Sequence, residues 1–168
     1  MTKQAPWFVE ERAVAFASLM LTSGHDVLVK AQTNAGRAID LLVEVLKDGK
    51  STLRFFGVHL VADLDLPNIQ TANELVLVHL SGGASEAAFP LCVFAIGVRK
   101  PEGIYRWTVE PIVEDGRALL RRDGEANWQT MDEAGTARLI GQVNAWYDAL
   151  NGVSTPKTRG HRSKTKSR

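Results

Sequence analysis

Two runs of alternating apolar and polar residues, meeting at Asp48-Gly49-Lys50, constrain this chain more than any other feature. A period of two marks a strand with one face buried, and a short Gly-containing link between two such runs predicts a β-hairpin. The strands are expected over about 38–47 and 52–62. In the first, Ile39, Leu41, Val43 and Val45 point one way and Asp40, Leu42, Glu44 and Leu46 the other. In the second, Phe56, Val58 and Leu60 oppose Phe55, Gly57, His59 and Val61. The alternation allows Asp40 and His59 to share one side of the sheet.

The flanking segments fit around this hairpin. Val9, Ala13, Phe16, Ala17 and Met20 recur at three- and four-residue spacing, which predicts a helix over 7–22 closed by Ser23-Gly24. Val27 to Lys30 reads as a short strand and Gln32 to Arg37 as a polar turn. Residues 66–81 suit either a helix, through Ile69, Ala72, Leu75 and Val76, or a buried strand; the helix is preferred. Gly82 to Ser85 reads as a loop, Phe89 to Val98 as a central strand, and Ile104 to Val113 as another strand after the Lys100-Pro101-Glu102-Gly103 turn. A polar, irregular segment around Arg121 to Trp128 precedes a helix over 131–150 striped by Leu139, Val143, Trp146, Tyr147 and Leu150. The order predicts one α/β (α+β) domain over 1–150, with a central mixed sheet of about five strands flanked by helices.

Charge divides the chain. Its 20 Lys and Arg nearly balance its 19 Asp and Glu, but residues 151–168 carry six of the bases and no acid. The body is therefore near −5 and the tail at +6. Repulsion within a run of like charge favours a disordered cationic arm. Through Lys157, Arg159, Arg162, Lys164, Lys166 and Arg168 that arm suits salt-sensitive contact with DNA or RNA phosphates, or it is merely a solubilising end. The single cysteine, Cys92, lies in an apolar run and is expected to be a buried thiol in a reducing cytoplasm. Glu10, Glu11 and Arg12 interrupt any apolar N-terminal segment, and no stretch reaches the ~18 apolar residues of a spanning helix, so no membrane partner is expected.

The helix bearing Glu10 and Glu11, the Ile39-Asp40-Leu41 strand and the Gly57-Val58-His59-Leu60-Val61 strand together resemble the restriction-endonuclease-like PD-(D/E)XK superfamily, and more narrowly a bacterial branch of it. In that branch an E-containing helix precedes G-I-D-L and then F-x-V-Q-V-K. The likeness runs through most of 8–112, including Pro90-Leu91-Cys92-Val93 and Tyr105-Arg106-Trp107. It implies a restriction-endonuclease-like fold and a Mg²⁺-dependent phosphodiesterase. Oxygen ligands would hold the hard cation, and a lysine would assist the attacking water and the charge on the phosphorane. Carried over, Asp40 matches the metal-binding Asp, and Glu10 or Glu11 the helix acid. His59 stands where the family has Glu or Gln, Val61 where it has Lys, and Ala38 where Gly precedes the Ile-Asp pair. Asp40 and His59 are thus the metal-ligand candidates, although imidazole suits Zn²⁺ better than Mg²⁺.

These departures imply a catalytically inactive nuclease-like domain that serves as a nucleic-acid-associated binding or scaffolding module. One alternative is an active, Mg²⁺-dependent endonuclease with a displaced lysine, for which Lys30 is the candidate; Lys47, ~23 Å along the strand from Asp40 and on its opposite face, is out of reach. Another is a protein-interaction subunit with no nucleic-acid role. Each residue also has an ordinary reading. First-turn acids are favoured by the helix dipole alone, His59 between two apolar residues suits a structural role, and Trp107, Trp128 and Trp146 suit packing.

Overall fold

A computed structural model of the chain describes residues 6–31, 39–80, 87–122 and 127–152. The expected turn at Gln32 to Arg37, Ala38, the loop at Gly82 to Ser85 and the six cations of the tail lie outside the described residues. The elements are α1 (Trp7–Thr22), β1 (Val27–Ala31), β2 (Leu41–Lys47), β3 (Lys50–Asp63), α2 (Ile69–Leu80), β4 (Leu91–Gly97), β5 (Glu102–Glu114), β6 (Arg117–Arg121), β7 (Gln129–Thr130) and α3 (Glu133–Leu150). The sheet runs β1-β2-β3-β4-β5-β6, with β7 added beside β5. Among the described residues only β3 and β4 pair in parallel, and α2 supplies the crossover that a parallel pair needs. The result is an α+β fold with a mixed, open sheet and, among the described residues, three helices.

The hairpin forms where the sequence places it. Asp48 and Gly49 both have positive φ, 52° and 70°, as the two central positions of a type I′ turn require. Asp115 and Gly116 repeat this at 49° and 75° and turn β5 into β6. With β6 and β7 the sheet has seven strands rather than about five. Part of the expected irregular segment at Arg121 to Trp128 is therefore ladder: Arg121 ends β6 opposite Glu110.

One sheet face carries the main core. There α1 buries Val9, Ala13, Ala17 and Leu21, and α3 buries Leu139, Ile140 and Val143, against Leu41, Val43, Phe56, Val58, Phe94 and Trp107. Asp132 caps α3, its carboxylate accepting the Gly135 N–H at 2.7 Å. The other face is covered by α2, whose Val76 packs with Val61, Val93 and Trp128.

Three residues depart from the expected pattern. Ile39 does not share the face of Leu41, because the chain bends at Asp40 and the ladder begins only at Leu41. Ile39 packs instead with Leu91 on the α2 side, in space that Gly57 leaves open: a Cβ there would lie 2.4 Å from Leu91 Cδ2 and 3.2 Å from Ile39 Cδ1. Leu150, placed in the apolar stripe, is 56% exposed because α3 ends there. Glu44, expected on a polar face, is buried; it accepts hydrogen bonds from Ser51 Oγ and, at 3.3 Å, from the Leu53 N–H. These bonds hold a bulge in β3, where Leu46 pairs with Ser51 but Val45 pairs with Arg54.

Cys92 sits on β4 with its Sγ 3.5 Å from the Gly57 carbonyl, and burial pushes its thiol well above the usual range. Its reaction with a disulfide reagent at pH 8 is expected to be limited by global unfolding. The folded state holds this proton more tightly than the unfolded chain, so stability is retained below the ordinary thiol pKa of ~8.5 and falls as pH rises past it. Labelling rates measured from pH 7 to 10 against denaturant unfolding test both statements; rapid labelling of native protein would contradict them.

Candidate functional site

The bend that ends the ladder before Leu41 is what makes Asp40 available as a site residue. Its own N–H still donates to the Val58 carbonyl at 2.9 Å, which fixes it against β3. Its Oδ2 accepts the Leu60 N–H at 2.7 Å and lies 2.8 Å from His59 Nδ1. The strand period puts the imidazole on the α2 side, as the alternation allowed, so Asp40 and His59 meet. The histidine side chain is 15% exposed and the aspartate 39%, which leaves the pair open to solvent from the carboxylate side.

The other expected members do not join them. Glu10 and Glu11 are both exposed on α1, which packs on the face carrying Leu41, Phe56 and Val58, whereas His59 projects from the opposite face. Lys30 is exposed on β1 opposite Leu42, on the same face as His59 and one diagonal step from Asp40. Val61 is buried, two residues beyond His59, and packs with Val76, Val93 and Trp128. The position where the resemblance implies a lysine is therefore filled by hydrocarbon.

This donor set fits Mg²⁺ poorly. The resemblance implies two or more oxygen ligands around the metal, and the pair offers one carboxylate, already engaged by an imidazole and a backbone N–H. Among the described residues no three of His, Cys, Asp and Glu come together in a way that could hold a metal ion. What remains is a hydrogen-bonded clasp that ties the head of β2 to the middle of β3.

The sheet face around the clasp holds a group that sequence reasoning did not single out. Across β4, Val93 pairs with His59 on one side and with Arg106 on the other. Arg106 is partly buried, its Nη1 donates to Asn73 Oδ1 at 3.0 Å, and its guanidinium lies 5.4 Å from the Trp128 ring centre. The one signal available was an arginine at the outward alternate position between Tyr105 and Trp107. Trp107 and Trp146 are buried, in line with packing roles, and the Trp128 Nε1–H donates to the same Asn73 oxygen at 3.0 Å.

Elsewhere, a polar cavity of about 260 Å³ lies between β5 and α3. Its side chains largely satisfy one another: Trp107 with Gln142, Arg138 with Gln129, and Arg121 with Glu110. No helix of the described residues is long and apolar enough to cross a membrane. Comparison of the chain with family models, with curated proteins and with solved structures returned no match.

Proposed function

We propose that this chain is a degenerate nuclease-like domain of restriction-endonuclease-like architecture that binds nucleic acid without cutting it. The observation that carries the reading is the Asp40–His59 contact at 2.8 Å beside a buried Val61. The carboxylate stands where the resemblance puts a metal ligand, yet it is tied to an imidazole and a backbone N–H, and the position matched to the lysine is the buried Val61. Helix, then the hairpin with the aspartate at the head of its first strand and the histidine on its second, follow the order of the PD-(D/E)XK motifs, which supports common descent. A single buried thiol suits a reducing compartment such as the cytoplasm.

Binding falls mainly to the cationic arm, because the body carries net negative charge. Fluorescence anisotropy with a labelled DNA duplex tests this. The full chain is expected to bind with log K falling against log [salt] at a slope of up to about −5, and removal of residues 153–168 to weaken binding sharply. Absence of binding even at low salt would overturn the reading and leave a protein-interaction subunit in its place.

The register of β1 favours one second reading, an active metal-dependent endonuclease in which Lys30 replaces the missing lysine. It predicts cleavage that Lys30→Ala abolishes while the fold is unchanged.

A further inference from the structure

Arg106 poses a physical question that packing alone does not answer. A guanidinium withdrawn from water is costly unless a carboxylate or another anion offsets its charge. Among the described residues no carboxylate pairs with it. Asn73 supplies one neutral acceptor, Trp128 a ring face, and the Nε–H is buried without a hydrogen-bond acceptor among the described residues. Burial accordingly pulls its pKa below the usual guanidinium range. The group stays partly exposed, and it is held in one orientation by an amide on α2 and an indole beside β7.

A cation that is partly desolvated, pre-oriented and, among the described residues, without a counter-ion attracts an anion far more strongly than one free in water, because its orientation is already fixed and the local dielectric is low. The planar fork of arginine also matches two oxygens of a phosphate. Arg106 stands in the same cross-strand row as His59, with Val93 between them, at ~10 Å for two strand spacings. It therefore lies on the same face of the sheet as His59.

We propose that Arg106, positioned by Asn73 and Trp128, is a phosphate-binding subsite for a nucleic-acid strand that passes its exposed side at the margin of α2. The proposal rests on the nucleic-acid reading above and adds to it a contact made by the folded body rather than by the arm. Val61 puts hydrocarbon where the resemblance implies a lysine; Arg106 keeps a cation on the same face.

The test follows the Arg106 Nε–H resonance of the ¹⁵N-labelled full chain while inorganic phosphate, a single-stranded oligonucleotide and a DNA duplex are titrated separately. Anisotropy titrations of wild type, Arg106→Gln, Arg106→Lys and the chain lacking 153–168 run alongside. A shift of that resonance with phosphate and with DNA is expected, together with about tenfold weaker binding by Arg106→Gln and a salt slope reduced by about one. Arg106→Lys, which keeps the charge but loses the fork, is expected to fall between. DNA binding lost with the arm, while the Arg106 resonance stays still and Arg106→Gln binds like wild type, would overturn the subsite and leave the nucleic-acid reading standing. A resonance that moves with phosphate in a chain that binds no DNA would overturn the nucleic-acid reading and the strand assignment with it, leaving only an anion site. The resonance is read on the unaltered protein, so a variant that fails to fold does not blunt the test.

Discussion

Val61→Lys, which places a lysine where the resemblance implies one, is expected to destabilise the protein by ~3–5 kcal/mol and to confer no cleavage. Val61 is 4% exposed and packed among Val76, Val93 and Trp128, so the new ammonium would enter hydrocarbon with no carboxylate in the cluster. The chain can relieve this by depressing the lysine's pKa or by swinging the side chain toward the edge of the cluster. The first route gives a distinctive sign. The folded state would hold the lysine proton less tightly than the unfolded chain, so the penalty is full at low pH. It shrinks as pH rises through the depressed folded value toward the ordinary ~10.4. Urea unfolding of wild type and variant between pH 6 and 10 measures it. A variant as stable as wild type at pH 6, or one that cuts DNA, would show that the cluster around Val61 accommodates a lysine.

Phe56→Ala is expected to cost a comparable ~3–5 kcal/mol, for a different reason. Phe56 is fully buried on β3 opposite Val43, and its ring meets Trp107 edge to face at 6.4 Å, linking the hairpin to β5 across β4. Truncation removes that contact and leaves a cavity that β4 prevents from collapsing. In a domain of this size the loss lowers Tm by ~10 °C or more. Thermal unfolding of the variant with a Tm within two or three degrees of wild type would mean that the hairpin is not seated on the core as described.

Periodicity made most of the fold legible because one face of each element is buried against another. The apolar spacing predicted α1, the β2–β3 hairpin and α3 closely, and the choice of helix over strand for 66–81 matches α2 at Ile69–Leu80. The misses arose where local signals were overruled or overlooked. The Asp115-Gly116 pair carried the same turn signal as Asp48-Gly49, and reading it would have revealed β6. Ile39 departed from strict alternation because the ladder had not yet begun at Asp40. Glu44 looked like a surface residue, since nothing local announces that a bulge nine residues on will meet its carboxylate.

The candidate site was legible only in part for a related reason. Alternation sufficed to bring Asp40 and His59 to one side, because strand pairing fixes faces. It could not place α1, so Glu10 and Glu11 were assigned by resemblance to a site that lies across the sheet from them. Nor could it reveal Arg106, whose significance comes from Asn73 and Trp128, 33 residues before it and 22 after it in the chain.

Incubation of the full chain with end-labelled single- and double-stranded DNA in Mg²⁺ and in Mn²⁺, beside Asp40→Ala, tests the proposal of binding without cutting most directly. Identical traces for the two proteins, both at the level of the protein-free control, are the predicted result. Cleavage by the wild-type chain that Asp40→Ala removes would contradict it.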